Sequence, residues 1–402
     1  MILVNNVKSS RKVLTLFGSL IYERTFLIAQ DPAQSQLLFE LEGVRGIFPK
    51  DSALGIDRLP FKVTYRMMGA VAREGVRSKS YAEAAVNIYE KYHAEISPKQ
   101  VEKITNYVGN VVWENQRKEA RISQATADRK IDKRRRRRRK NDILYIEIDG
   151  AHVHVRDKRD GKTVKAGWTE SKHAIAFHSS DIHYWAKQNG DGEMNHRINA
   201  KDCIGYIGSA EEFKYHLISL ARRNDCEHVT EVVFICDGAL WIKDIVEKYF
   251  PYATYILDLY HAKEHAGNFA RIVKPNSNEA EEYANKLCNL IENGKIDDLL
   301  DELKPYEDAK LPEGATNLYT YIENHHSGMN YPKFKEKGYF VGSGAIESAN
   351  RYLMQNRMKL PGMRWNISTA QTMLSLKAKE ESGHWNCVNE MLKEHFYGSG
   401  AP

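Results

Sequence analysis

The amino-acid sequence predicts an α/β fold: a mixed sheet with flanking helices and an all-helical insertion, preceded by a small β-hairpin and a helix-turn-helix region. Three observations carry this expectation. Between 143 and 257, three β runs follow one another and then alternate with helical segments, the order expected of a mixed sheet with helices on its faces. Residues 276–335 lack strand periodicity and are rich in Glu, Lys, Asn and Leu, which marks a helical insertion. Ahead of the sheet, two helix starts stand out by their capping residues.

Taken in order, residues 12–28 alternate apolar and polar around Gly18-Ser19, a β-hairpin signal that assigns 1–58 to a small β region. From 61 to 123 the pattern is helical, in three segments broken at 75–79 and 93–96. Ser80-Tyr81-Ala82-Glu83 is a capping box, and Ser97-Pro98-Lys99-Gln100 joins an N-cap serine to proline at the first helical position and glutamine at the third. With Val101, Ile104 and Val108 along one face, the third helix fits the second helix of a helix-turn-helix within 59–128. Its open face carries Lys99, Gln100, Lys103, Asn106 and Asn110, side chains that reach base edges and phosphates in a major groove. The plainer alternative is an αα-hairpin with a solvated polar face.

Residues 129–142 form a basic linker. Within 129–140 there are ten basic residues and one acid, a charge of +9, so the formal +6 of the chain leaves 6 − 9 = −3 for the remainder. The basicity therefore belongs to one segment, where Arg134, Arg135, Arg136, Arg137, Arg138 and Arg139 are either a solvated linker or a phosphate clamp that adds affinity without sequence information.

The sheet is expected from strands at 143–148, 152–156, 174–177, 232–236 and 254–257, with helices at 211–223 and 240–250 and a turn at Asp160-Gly161. This assigns 143–265 to the first part of the core, 266–340 to the helical insertion and 341–402 to C-terminal helices of the same core, with one or two of them in 368–396. A chain of 402 residues with 42% hydrophobic content has room for two or three domains. No apolar run approaches the ~18 residues of a membrane span, and the N-terminus lacks signal-peptide order, so cytoplasmic residence is expected. The five cysteines are odd in number, widely spaced and without C-x-x-C, and read as reduced, buried thiols.

Three acids stand where apolar runs end or a helix begins. Asp149 closes 143–148, Asp237 closes 232–236, and Glu347 opens a helical stretch after Gly342-Ser343-Gly344. A carboxylate beside a buried strand is costly unless it is solvated, paired or functional, and three of them point to two hard cations held against a phosphate. Carboxylate oxygens suit Mg²⁺ or Mn²⁺ better than zinc. The glycines around Ser343 are expected to let the first turn approach the metal backbone-first. Asp before Gly is also common turn chemistry, so each of Asp149 and Asp237 alone has a bland reading.

Together, Ile146-Glu147-Ile148-Asp149-Gly150, Cys236-Asp237-Gly238-Ala239-Leu240-Trp241, Leu257-Asp258-Leu259-Tyr260-His261 and Gly342-Ser343-Gly344-Ala345-Ile346-Glu347-Ser348 resemble the bacterial insertion-sequence DDE transposases of the mutator-like superfamily. The resemblance covers most of the chain. It implies an RNase H-like core interrupted by a helical insertion between the second Asp and the Glu. Asp149, Asp237 and Glu347 are then the catalytic, metal-binding triad for two Mg²⁺ or Mn²⁺ ions, with Asp258 and His261 in support. It also implies transposon-end and target DNA as partners, a homodimer or higher oligomer on DNA, and a nucleoid-associated location. Arg351, Arg357 and Arg364, near Trp365, are expected phosphate contacts, with Trp365 itself packed in the core. A domesticated relative that binds DNA without cutting it is the alternative. A weaker one is a zinc hydrolase built on His261-Ala262-Lys263-Glu264-His265, an H-x-x-E-H sequence.

Overall fold

A computed structural model describes residues 3–34, 36, 40, 46–127, 142–156, 158–159, 162–163, 167–186, 194–274 and 276–398. The chain divides into two units, one of residues 1–115, 375–380 and 384–402, the other of 116–374 and 381–383.

In the first unit, β1 (Leu3–Thr15) and β2 (Gly18–Ala29) form the expected hairpin, turning with Gly18 at a φ of 97°. Buried Asp51, in the short helix Pro49–Ala53, receives Arg11, Arg24 and the Tyr22 hydroxyl and so pins the hairpin to that helix. The three helical segments are α1 (Tyr65–Arg77), α2 (Tyr81–Tyr92) and α3 (Pro98–Ala125), of which residues 98–115 belong to this unit. Both caps form: Ser80 Oγ accepts from Glu83 N at 3.1 Å, and Ser97 Oγ accepts from Gln100 N at 3.2 Å. Val101, Ile104 and Val108 are buried, while Lys99, Gln100, Lys103 and Asn110 are exposed and Asn106 half-buried, as the amphipathic spacing requires.

The second unit holds the sheet: β3 (Ile143–Arg156), β4 (Gly167–His178), β7 (Asp202–Tyr206), β8 (Glu231–Cys236) and β9 (Thr254–Leu257), with the hairpin β5 (Ile182–Ala186) and β6 (Met194–Ile198) beside it in sequence. Its order is β9-β8-β3-β4-β7. The β9, β8 and β3 strands run parallel, and β4 is antiparallel to both β3 and β7. The mixed α/β architecture follows from the central strands: residues 144–148 and 232–236 are buried without alternation, the pattern of strands covered on both faces. Helix α4 (Ala210–Arg223) packs on β4 and β7, α5 (Leu240–Tyr249) packs on α4, and α12 (Ile367–Glu381) meets Gly205 of β7 through Leu374.

Two sequence readings change. The runs 143–148 and 152–156 are one strand, because β4 pairs along it through Asp149↔His173 and Gly150↔Lys172 and leaves no turn at Asp149-Gly150. The edge strand β7, Asp-Cys-Ile-Gly-Tyr, escaped notice: it is too short for periodicity and holds Gly205, whose added Cβ would lie 2.5 Å from Leu374 Cγ on α12. Asp160-Gly161 and the tract 134–139 lie outside the described residues.

The helical stretch begins earlier than expected, with α6 (Leu259–Val273), and continues through α7 (Ser277–Glu292), α8 (Ile296–Leu303), α9 (Leu318–His325) and α10 (Tyr331–Glu336) to α11 (Gly344–Asn350). The last helix, α13 (Trp385–Tyr397), belongs to the first unit rather than to the sheet, where Trp385, Val388, Leu392 and Phe396 are buried and Tyr107 stacks on Phe396. All five cysteines are free thiols; Cys203, Cys226 and Cys236 are buried as expected, but Cys288 is half-buried and Cys387 exposed. No described helix is long and apolar enough to cross a membrane.

Candidate functional site

The parallel pairing of β8 with β3 ends at Cys236↔Ile148, and the next residue on each strand is an acid. Asp149 and Asp237 are thereby neighbours across two adjacent strands. Their chain contexts differ: Asp149 sits mid-strand, whereas Asp237 leaves the end of β8, where its Oδ1 accepts from Ala239 N at 3.0 Å. Gly238, at a φ of 93°, makes that turn, and a Cβ there would strike the Tyr321 ring and Leu257. Burial first, and the charge of Asp237 second, push the Asp149 carboxyl up to about 6.

Asp258 follows β9 and caps α6. Its Oδ1 accepts from Tyr260 N at 2.6 Å and His261 N at 3.0 Å, while Oδ2 accepts from Ser343 N at 2.5 Å and from the Ser343 hydroxyl. Burial raises its proton affinity, but the bonds from His261 and Ser343 outweigh this and hold it at about 2. A carboxylate that accepts four such bonds has its lone pairs occupied, so Asp258 is a clamp between the start of α6 and the residues before α11. The carboxylate also lies 3.6 Å from His261 Nδ1 and, against the opposing effect of burial, raises that imidazole to about 9, with smaller contributions from Asp237 and Asp149.

Glu347 arrives on α11, and its carboxylate lies with those of Asp258 and the His261 ring in one group whose donor atoms are all within 4.8 Å of one another. Asp258, His261 and Glu347 thus form one group, and the charges of Asp237 and Asp149 act on its His261 ring. His265 is not in that group, and its ring packs 4.5 Å from that of Tyr321. Gly342 also acts differently from expectation. An added Cβ there would lie 2.6 Å from the Tyr260 ring, so this glycine seats Tyr260, and Gly344 faces open space.

Four residues escaped sequence reasoning: Glu147, His173, Ser343 and Asn350. Glu147 is 1% exposed and accepts from Ile346 N at 2.7 Å. Burial pushes it up to about 8. Asn350 Nδ2 donates to Asp149 Oδ2, and His173, opposite Asp149 on β4, is held by Ser171 Oγ at 2.9 Å and lowered to about 4 by burial. The signal for Glu147 was present, a charge inside an uninterrupted apolar run; those for His173, Ser343 and Asn350 were not.

The outlying positions separate clearly. Arg351 and Arg364 are exposed, as phosphate contacts must be. Arg357 is not: it is 2% exposed, 5.5 Å over the Trp365 ring and 3.6 Å from Met363 Sδ, because the chain folds back there. Trp365 is buried as expected, with Nε1 donating to Met358 O at 3.0 Å.

Fold and site define an α/β protein with an acidic cluster where two parallel strands and a returning helix meet. The profile of the Uncharacterised protein family (UPF0236) matches residues 3–395, and the chain belongs to that family. Two UPF0236 proteins of Caldanaerobacter subterraneus subsp. tengcongensis are each 24% identical over 387 residues, 94% of this chain and 68% and 65% of theirs. A UPF0236 protein from a vanSb 3′ region of Streptococcus gallolyticus is 21% identical over 385 residues, 93% of this chain and 73% of its own length.

Proposed function

We propose that the chain is a DDE-type DNA transposase, cutting at transposon ends and joining the freed 3′-hydroxyl to target DNA through an RNase H-like core. The observation that carries this reading is the β8–β3 register, which sets Asp149 beside Asp237 on parallel strands and leaves Glu347 to be returned by α11 after a run of helices. That is the layout the transposase resemblance implies.

The acids fit divalent cations. Burial and the charge of Asp237 raise Asp149 in a half-buried place, and the donors there are hard oxygens. Asp149, Asp237 and Glu347 would hold Mg²⁺ or Mn²⁺, which supplies activation of the attacking oxygen and stabilisation of the leaving one. His261, fixed by Asp258, keeps a cationic donor beside the acids where a phosphate would lie. The exposed row of Lys99, Gln100, Lys103 and Asn110 on α3, together with Arg351 and Arg364, is suited to DNA. Synapsis of two ends requires at least a dimer.

The test is cleavage and strand transfer from a supercoiled donor carrying the DNA that flanks the gene, in Mg²⁺. Wild type is expected to give nicked and joined products, and Asp149→Ala none. If the two proteins behave alike, the catalytic reading is lost; DNA binding without products would leave a non-cutting relative.

A further inference from the structure

We infer that Glu147 and Asn350 are positioning residues that lock α11 to β3 and so set the place of Glu347 against Asp149. The inference rests on the metal reading above. Glu147 and Asp149 are two apart on one strand and therefore project from the same face of the sheet. Ile346 and Asn350 are four apart on one helix and therefore share a face. The two pairs interlock in opposite senses: the helix backbone at Ile346 donates to Glu147 Oε2 at 2.7 Å, and the helix side chain of Asn350 donates to Asp149 Oδ2. Both bonds are long-range, joining positions 199 and 201 residues apart.

A buried carboxyl within an apolar strand costs free energy unless its geometry is used. Glu147 is 1% exposed and Asn350 7% exposed, so neither reaches solvent or a DNA backbone. What each reaches is the other element's acid or the residue beside it, since Ile346 directly precedes Glu347. The lock spans the two segments that the whole helical stretch separates. It makes the distance between the first and third acids a property of the folded chain rather than of a bound ion.

Mn²⁺ is the probe, titrated against the full chain with free ion followed by its electron paramagnetic resonance signal. Glu147→Gln keeps an oxygen that can accept from Ile346 N and is expected to match wild type within about twofold, while Glu147→Leu weakens Mn²⁺ by about tenfold or more, the effect of losing a group that orients a metal ligand. Asn350→Leu is expected to do the same and serves where Glu147→Leu does not fold, which circular dichroism decides. Rescue by glutamine separates positioning from ligation: a Glu147→Gln protein as weak as Asp149→Asn overturns the proposal, as does a folded Glu147→Leu protein that binds like wild type. A wild type that takes up no Mn²⁺ overturns the metal reading itself. The lock is then judged by amide exchange at Ile346, about tenfold faster in Glu147→Leu than in wild type or Glu147→Gln if it exists, and unchanged if it does not.

Discussion

Replacing Asp258 by alanine tests whether this residue holds the site together from beneath. The substitution removes the acceptor for Tyr260 N and His261 N at the start of α6, an N-cap loss of about 1 kcal/mol. It also strands Ser343 N, whose residue is 2% exposed, at about 1–3 kcal/mol for a buried donor left without a partner. The sum is about 3 kcal/mol, which for a unit of this size lowers the midpoint by roughly 6–12 °C. Differential scanning calorimetry measures it. Because Asp258 and Ser343 share bonds, Asp258→Ala with Ser343→Ala should cost less than the two singly, by about 1 kcal/mol. The acid limb gives a second reading: Asp258 is held at about 2 against an ordinary 3.8, so its contribution is complete above 3.8 and is lost as pH falls through 2. A midpoint within about 2 °C of wild type, or strict additivity with Ser343→Ala, would refute the clamp.

Other outcomes follow from the same structure. His216, its ring tilted against that of Tyr206 and lowered to about 4 by burial, stays neutral when folded and binds a proton when unfolded; stability should therefore fall as pH drops from 6.5 through 4. Wild type should lose about 1.4 kcal/mol more per pH unit across that window than His216→Gln, measured by urea unfolding, and equal slopes would contradict the assignment. Arg357→Ala should destabilise the fold by about 2 kcal/mol through lost packing on Trp365. Lys103→Ala should leave stability within about 0.5 kcal/mol and reduce the salt slope of DNA binding by about 1; the reverse pattern would exchange their roles.

The helices of the first unit were legible because their signals are local. Ser80, Glu83, Ser97 and Gln100 cap through atoms no more than four residues away, and the Val101, Ile104 and Val108 stripe needs only the helical repeat. The central strands announced themselves by uninterrupted apolar runs. Strand β7 did not, because what makes it a strand is its pairing with β4 over Lys172↔Tyr206 to Ala176↔Asp202, and its Gly205 lies under Leu374, 169 positions later in the chain. Arg357 shows the same limit: its charge reads as a surface group, and only the fold of 354–365 brings Trp365 over it.

By itself the sequence determined the residue types of the site and the elements that carry them, since composition, capping and apolar runs act within a few residues. It named Asp149, Asp237, Asp258, His261 and Glu347 but left their meeting open. The tertiary structure set Asp149 beside Asp237 through the β8–β3 register, brought Glu347 to Asp258 and His261 through the return of α11, and paired β4 along Asp149-Gly150, which turned an apparent strand end into mid-strand. The physical reason is that strand register and helix return depend on backbone hydrogen bonds and packing between segments 88 to 201 residues apart, and such contacts leave no mark on the spacing of neighbouring residues.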